Sequence, residues 1–158
     1  MQAFGQMNRK QLRDMLYLHE GVRLAAYKDT VGVLTIGCGH NCRESPVSGV
    51  EKVGDRITEL QCNHLFASDI ANVVSDLDHH LPWWQHLDEV RQNVLADMCF
   101  NMGITTLKTF RNTLGMMKRG DYEGASEGML ESLWATQVGQ RAERLAEMMR
   151  TGEWPQDV

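Results

Sequence analysis

A short stretch with the texture of a β-hairpin interrupts an otherwise helical pattern, and this interruption limits the folds open to the chain. Segments 22–27 and 31–36 are rich in β-branched and aromatic residues, and turn-forming residues separate them near positions 28–32. Apolar residues recur at helical spacing before Gly21 and again after Thr58. The sequence therefore predicts an α+β fold whose strands are gathered near the N-terminus.

Capping patterns indicate where two of the helices begin. Asn8 with Gln11, and Thr58 with Gln61, have the spacing of a capping box, in which each side chain accepts or donates at the other residue's backbone. Further along, residues 122–133 have the pattern of a single short helix.

The length of 158 residues suits one domain with a substantial core. We expect a single domain over residues 1–158 that consists of two lobes. A small N-terminal β lobe covers about residues 20–57, and a larger C-terminal helical lobe covers about residues 78–158 together with the N-terminal helix. A long helix joins the lobes, and the cleft between them is where a ligand is expected to bind.

Charge and hydropathy exclude several classes of protein. The formal net charge of -5 argues against a nucleic-acid partner, which usually meets a basic face. The sequence has no run of about 18 apolar residues, so we expect no stable insertion into a membrane. The polar segment Met1–Arg13 lacks the apolar centre of a secretory signal, which predicts accumulation in the cytoplasm.

Three potential metal ligands, Cys38, His40 and Cys42, lie close together in the sequence. Zinc sites usually add a second close pair of ligands, and the spacing of Cys62 and His64 is irregular for such a pair. We therefore expect neither a metal nor another cofactor. All four cysteines are expected to be free thiols, buried or half-buried.

Two carboxylates and a hydroxyl flank the predicted hairpin. Glu20 falls at the last turn of the first helix, Asp29 in the hairpin turn, and Thr35 on the returning strand. Cleavage of a glycosidic bond needs two carboxylates, one to protonate the leaving oxygen and one to activate water or attack the sugar. Carboxylates near turns are also common on protein surfaces, so spacing alone leaves a plain surface role open.

Residues 19–41 read HEGVRLAAYKDTVGVLTIGCGHN and resemble the catalytic signature of the lysozymes of T-even and related phages, glycoside hydrolase family 24. That signature separates a Glu, an Asp and a Thr by eight and then five residues, as found here. The matching positions are Glu20, Gly21, Arg23, Tyr27, Asp29, Gly32, Thr35, Ile36, Gly37, Gly39 and His40. Segments 100–103, 110–114 and 140–154 are also similar, so the resemblance covers roughly residues 8–155.

The resemblance implies a lysozyme-like fold and an endolysin that hydrolyses the β-1,4 bond between N-acetylmuramic acid and N-acetylglucosamine. In that family Glu20 would be the general acid, while Asp29 and Thr35 would hold the attacking water on the opposite face of the sugar. The family is regarded as inverting, which requires about 6.5–9.5 Å between the two carboxyl groups.

The resemblance also implies supporting or substrate-binding roles for five residues: His40, Phe100, Asn101, Thr113 and Arg141. Arg141 would orient the acid and link the lobes, with a purely structural ion pair as the alternative. His40 would brace the hairpin and the acid rather than react. The family has a polar substrate contact where this chain has Gly128, so that contact is not expected here.

The implied partner is peptidoglycan, and no nucleic acid or stable oligomer is expected. The enzyme would accumulate as a monomer in the host cytoplasm until lysis and then act in the periplasm and cell wall. Access to the wall would depend on a holin.

Three alternatives stay open. A lytic transglycosylase uses one acid and the substrate's own hydroxyl, and the presence of Asp29 and Thr35 argues against it. An inactive wall-binding module is disfavoured because all three catalytic residue types are present. The amphipathic segment 140–150 could additionally disturb an outer membrane, whereas a docked helix is the simpler expectation.

Overall fold

The computed structural model describes residues 7–156, which form seven α-helices, three β-strands and one 3₁₀ turn. The helices are α1 (Arg9–Glu20), α2 (Glu59–His80), α3 (Glu89–Leu107), α4 (Arg111–Lys118), α5 (Tyr122–Leu130), α6 (Leu133–Val138) and α7 (Gln140–Thr151). The strands are β1 (Arg23–Lys28), β2 (Leu34–Gly37) and β3 (His40–Asn41), and the 3₁₀ turn is Pro82–His86.

The predicted α+β fold is confirmed, and the chain divides into two compact units. The β unit comprises Asp14–Asn72, and the helical unit comprises, of the described residues, 7–13 and 73–156. The boundaries fall inside α1 and α2, so each of these helices contributes to both units. The single domain over residues 1–158 stays a prediction. Its ends, residues 1–6 and 157–158, lie outside the described residues, as does the first part of the polar segment Met1–Arg13.

The three strands of the β unit form an antiparallel sheet in the order β1-β2-β3. Thr35 of β2 lies opposite Tyr27 of β1 and opposite Asn41 of β3. The predicted hairpin is therefore present. The Asp29 backbone N–H donates to the Val33 carbonyl at 3.0 Å and closes the turn. The turn therefore lies one residue later in the chain than predicted.

A small apolar cluster fills the β unit beneath this sheet. Its buried members are Ala26, Ile36, Cys42, Val50, Ile57 and Cys62. They come from β1, β2, the loop after β3 and the start of α2, so the cluster fixes the sheet on that helix.

Both predicted helix starts are confirmed, with one difference in bonding. At α2, Thr58 and Gln61 form the full capping box, with N···O distances of 2.7 and 3.1 Å. At α1, the Gln11 backbone N–H donates to Asn8 Oδ1 at 3.0 Å. The Asn8 backbone N–H, however, donates to the side-chain Oδ1 of Asn93 rather than to the side chain of Gln11. A side chain distant in sequence thus completes the cap.

The prediction of one helix over residues 122–133 is wrong. α5 ends at Leu130, and Ser132 begins α6 by accepting a hydrogen bond from the Ala135 amide at 3.2 Å. The Ser132 hydroxyl also donates to the Met129 carbonyl at 2.7 Å. Local bonding by this serine overrides the continuous apolar pattern.

The apolar face of α7 is docked inside the helical unit, since Leu145, Met148 and Met149 are buried. Within the described residues, none of the helices has both the length and the apolar character needed to cross a membrane.

Arg91 anchors the C-terminal end of α7. Its Nε donates to the Met149 carbonyl at 2.7 Å, and its Nη2 donates to the Arg150 carbonyl at 3.1 Å. The guanidinium carbon lies 3.6 Å from the centroid of the Tyr122 ring, and Nη1 pairs with Asp88 at 3.0 Å. The last carbonyls of a helix lack intrahelical partners, so Arg91 supplies what the end of α7 lacks.

Replacing Arg91 with alanine should lower the free energy of unfolding by about 2–3 kcal/mol, because it removes charged donors from two carbonyls and a cation–π contact. Arg150→Ala is the matched control, since Arg150 pairs with Glu147 on the exposed side of the same helix. Such a surface pair contributes less than about 1 kcal/mol. Urea denaturation measures both losses, and equal losses would contradict the anchoring role of Arg91.

Candidate active site

Glu20 is the last residue of α1, and its carboxyl group lies against the backbone of Gly39. A Cβ atom on Gly39 would lie 2.7 Å from Glu20 Oε1 and 3.2 Å from Glu20 Cδ. Gly39 also has a φ of 62°, in the left-handed region that side chains disfavour. The close approach and the backbone conformation both require glycine at this turn before β3.

Asp29 is held by the turn that it closes. Its Oδ1 accepts hydrogen bonds from the Val31 amide at 2.9 Å and from the Val33 amide at 2.8 Å. The side chain is exposed, and among residues 7–156 no other group donates to this carboxylate. One carboxylate oxygen is therefore fixed by the backbone, and the other is left to meet solvent or a ligand.

Thr35 lies on β2 directly opposite Tyr27, so the two side chains share one face of the sheet. Thr35 is only 5% exposed, and its Oγ1 donates to the Val33 carbonyl at 2.8 Å. The single hydroxyl proton is used in that bond. Toward a further polar group the oxygen can act only as an acceptor.

Tyr27 links the two carboxylates of the site electrostatically. Burial, followed by the nearby Glu20 carboxylate, raises the pKa of the Tyr27 hydroxyl above its usual 10.0. Asp29 and Cys38 raise this pKa too, and the Arg23 guanidinium opposes them. Both candidate carboxylates, Glu20 and Asp29, therefore act on the Tyr27 hydroxyl in the same direction.

His40 is buried, at 5% exposure, and both of its ring nitrogens face acceptors. Nδ1 lies 2.7 Å from Asp69 Oδ2, and Nε2 lies 2.8 Å from the Ser45 carbonyl oxygen. The hydrogen bond with Asp69 is the main cause that raises the pKa of His40, and burial works against it. Two acceptors around one imidazole favour the doubly protonated ring. The ion pair ties β3 and its following loop to α2.

The other predicted site residues lie in the helical unit. Arg141, 8% exposed, donates from Nε to Asp97 Oδ1 at 2.9 Å, and its Nη2 lies 2.8 Å from the same oxygen. Asp97 itself is fully buried. This buried ion pair joins α7 to α3, as in the structural alternative for Arg141. Its predicted role beside the acid stays a prediction.

Asn101, Thr113 and Phe100 have separate surroundings within that unit. The Trp134 indole Nε1 donates to Asn101 Oδ1 at 2.7 Å. Thr113 is buried, and its Oγ1 occupies the space that a side chain on Gly128 would need. Phe100 is half-buried. Their roles toward a substrate stay predictions.

All four cysteines are buried and none is in a disulfide, as predicted. Burial raises the pKa values of Cys42 and Cys62, and it raises that of Cys99 to about 12. The Cys42 thiol donates to the His40 carbonyl, and the His40 ring is engaged by Asp69 and Ser45. Within residues 7–156, no three His, Cys, Asp or Glu side chains converge on a point where a metal could be held.

The family model for phage lysozymes matches residues 18–150, which include the whole β-unit site. The chain belongs to the phage lysozyme family. It is thus a glycoside hydrolase of the muramidase class, and its α+β fold is lysozyme-like.

Three relatives illustrate how this lysozyme compares with known proteins. It is 32% identical to the pre-baseplate central spike protein of Enterobacteria phage T4, over 89% of this chain and 28% of that protein. It is 28% identical to a probable T4-type lysozyme of Dictyostelium discoideum, over 89% of this chain and 94% of the relative. An endolysin of Acyrthosiphon pisum secondary endosymbiont phage 1 is 30% identical, over 78% of this chain and 77% of the relative.

Sequence reasoning did not identify three residues that contact the predicted site residues. Asp69, the partner of His40, lies 29 residues further along the chain, and its position on α2 carries no motif. Asp97, the partner of Arg141, lies within an apolar helical run. Gly39 belongs to the signature, but only the structure shows that it makes room for the Glu20 carboxyl group.

The His40–Asp69 pair should make the stability of this lysozyme depend on pH. Because the pKa of His40 is raised above the value near 6.5 of an unfolded chain, the pair stabilises fully below about pH 6.5. This stabilisation is lost as the pH rises through the folded-state pKa. Asp69→Asn should cost about 2–3 kcal/mol near pH 6, and less as the pH rises.

Urea denaturation between about pH 6 and 9 would measure this difference. Glu44→Gln is the matched control, because Glu44 is an exposed carboxylate of the same unit. A cost of Asp69→Asn that is independent of pH would contradict an ion pair with a protonated His40.

Proposed function

We propose that this lysozyme hydrolyses the β-1,4 bond between N-acetylmuramic acid and N-acetylglucosamine, with Glu20 as the general acid and with Asp29 and Thr35 holding the attacking water. The peptidoglycan-hydrolysing activity follows from membership of the family. The observation that supports the residue assignment is that Tyr27 pairs with Thr35 across the sheet, while both Glu20 and Asp29 raise the pKa of its hydroxyl.

The hydrogen bonds of Asp29 and Thr35 suit the binding of one water molecule. Thr35 has spent its proton on the Val33 carbonyl, and Asp29 Oδ1 is bound by two amides. The remaining lone pairs of Thr35 and Asp29 Oδ2 can each accept one proton of the same water. The lone pair of that water is then free to attack the anomeric carbon.

In this mechanism the glycosidic C–O bond breaks as Glu20 gives its proton to the leaving oxygen. The water oxygen bonds to the anomeric carbon, and its proton passes to Asp29. The acid and the water act from opposite faces of the sugar, so the configuration inverts. A lytic transglycosylase would instead leave anhydromuramic ends, and the absence of a new reducing end would overturn the hydrolytic step.

The biological role that we propose is lysis of the host cell. The lysozyme would stay in the host cytoplasm until lysis and then reach the periplasm and wall, as a monomer and with the help of a holin. Three relatives are named SAR-endolysins, and the match with this chain covers 59–60% of the length of each. Their names favour a second route to the wall that does not depend on a holin.

A second candidate role is wall cleavage as part of a larger structural protein. The identity of 32% with a pre-baseplate central spike protein favours it, since this chain matches only 28% of that protein. Peptides of this lysozyme in purified phage particles would support the structural role. Their absence from particles, with abundant protein in lysing cells, would support the endolysin role.

Glu20→Gln should abolish the clearing of chloroform-treated Gram-negative cells, with a loss of at least about 100-fold, because the amide is too weak an acid to protonate the leaving oxygen. The loss of turbidity measures the rate, and circular dichroism checks that the variant is folded. Equal clearing by the two proteins would remove Glu20 from the mechanism.

Gly39→Ala should lower activity by about tenfold or more, because the new methyl group displaces the Glu20 carboxyl group from its position. Gly49→Ala is the matched control. Gly49 also has a positive φ, of 83°, but a Cβ there meets no atom within 4 Å. Both variants should lose about 1–2 kcal/mol of stability from backbone strain. A similar fall in activity in both variants would contradict the specific contact.

A further inference from the structure

Arg23 stands at the start of β1, where a bulge shifts the pairing of the hairpin. Arg23 lies opposite Gly37 in the sheet, and the next residues to pair between β1 and β2 are Tyr27 and Thr35. β1 therefore places three residues between these pairs, whereas β2 places only Ile36. Bulges of this kind redirect side chains and often lie beside active sites.

Across this shift in register, the Arg23 guanidinium lies over the ring of Tyr27. The guanidinium carbon lies 4.1 Å from the ring centroid, which is the geometry of a cation–π contact. Tyr27 in turn lies in the field of Glu20 and Asp29. Arg23 is therefore held on an aromatic ring whose hydroxyl pKa both proposed catalytic carboxylates raise.

This guanidinium has no acidic partner in the described part of the chain. Arg23 is exposed, and no carboxylate of residues 7–156 lies within ion-pair distance of it. By contrast, the other arginines with aromatic or buried contacts are paired, Arg91 with Asp88 and Arg141 with Asp97. The planar face of the Arg23 guanidinium packs on the Tyr27 ring. The N–H donors at the edge of the guanidinium remain available for a ligand.

A stacked guanidinium with free donors suits the recognition of a carboxylate. Its fork of N–H groups matches the two oxygens of a carboxylate, and the stacking reduces the conformational freedom lost on binding. The glycan backbone of peptidoglycan carries carboxylates on its stem peptides, and a lactyl carboxylate where a stem peptide is missing. N-acetylglucosamine offers none.

We propose that Arg23 binds a carboxylate of the substrate strand and thereby favours muramic-acid-bearing glycan beside the Glu20 and Asp29 site. This inference rests on the proposed function, because it places the substrate at those carboxylates. Arg23 acts in binding rather than in proton transfer. Its removal therefore affects KM and leaves kcat nearly unchanged.

The test compares wild type with Arg23→Gln on three preparations of the same sacculi. The first is native, the second has its carboxyl groups amidated with a carbodiimide and ammonia, and the third has its stem peptides removed by an amidase. On native sacculi Arg23→Gln should raise KM by roughly tenfold, the value of one charged hydrogen-bonded pair. On amidated sacculi the two proteins should differ by less than about twofold.

The third preparation distinguishes the two sources of the carboxylate. A defect that shrinks after amidase treatment assigns the contact to the stem peptide, and a defect that persists or grows assigns it to the lactyl group. Arg43→Gln is the matched control, because it removes the same charge from an exposed position of the β unit. Arg23→Lys, which keeps the charge but not the fork, should fall between wild type and Arg23→Gln.

Binding separates this inference from the proposed function. In a Glu20→Gln background, pelleting with native sacculi should retain several-fold less protein when Arg23→Gln is added, whatever the catalytic outcome. An inactive wild type would overturn the proposed function alone. Equal losses by Arg23→Gln on native and amidated sacculi, or losses matched by Arg43→Gln, would overturn the role of Arg23 in carboxylate binding.

Discussion

The ion pair between His40 and Asp69 is the constraint on which the candidate active site depends. It fixes β3 to α2, and the second ring nitrogen of His40 holds the following loop through the Ser45 carbonyl. Gly39 directly precedes His40, and it is the backbone surface on which the Glu20 carboxyl group rests. The ion pair thus anchors the residue next to Gly39, against which the Glu20 carboxyl group packs.

The sheet register then determines which groups share that neighbourhood. Pairing of Tyr27 with Thr35 puts a phenol and a buried hydroxyl on one face, and the turn that follows β1 presents Asp29. One oxygen of Asp29 accepts the hydrogen bonds that close this turn, so the carboxylate is oriented when the hairpin forms. Local backbone geometry, rather than a long loop, positions these candidate catalytic groups.

The sequence predicted those parts of the structure that depend on neighbouring residues. The α+β class, the hairpin and the caps at Asn8 and Thr58 follow from local patterns. The catalytic candidates were identified from the fixed spacing of the signature. The roles of those candidates stay predictions. What was not predictable depends on contacts between distant residues, such as Asn93 completing the α1 cap and Asp69 pairing with His40. The break at Ser132 was not predictable for another reason. A serine can lie within a helix or cap one, and local side-chain hydrogen bonds with the backbone decide between the two.

The raised pKa values of the buried thiols have a consequence for the proposed passage from the host cytoplasm to the cell wall. Only a thiolate attacks a disulfide or an oxidant readily, and Cys42, Cys62 and Cys99 are all shifted away from that form. A protein made in a reducing compartment and used in an oxidising one is exposed to cross-linking and to mispaired bridges. Burial of its sulfur atoms would let this lysozyme make the proposed passage without acquiring or needing a disulfide.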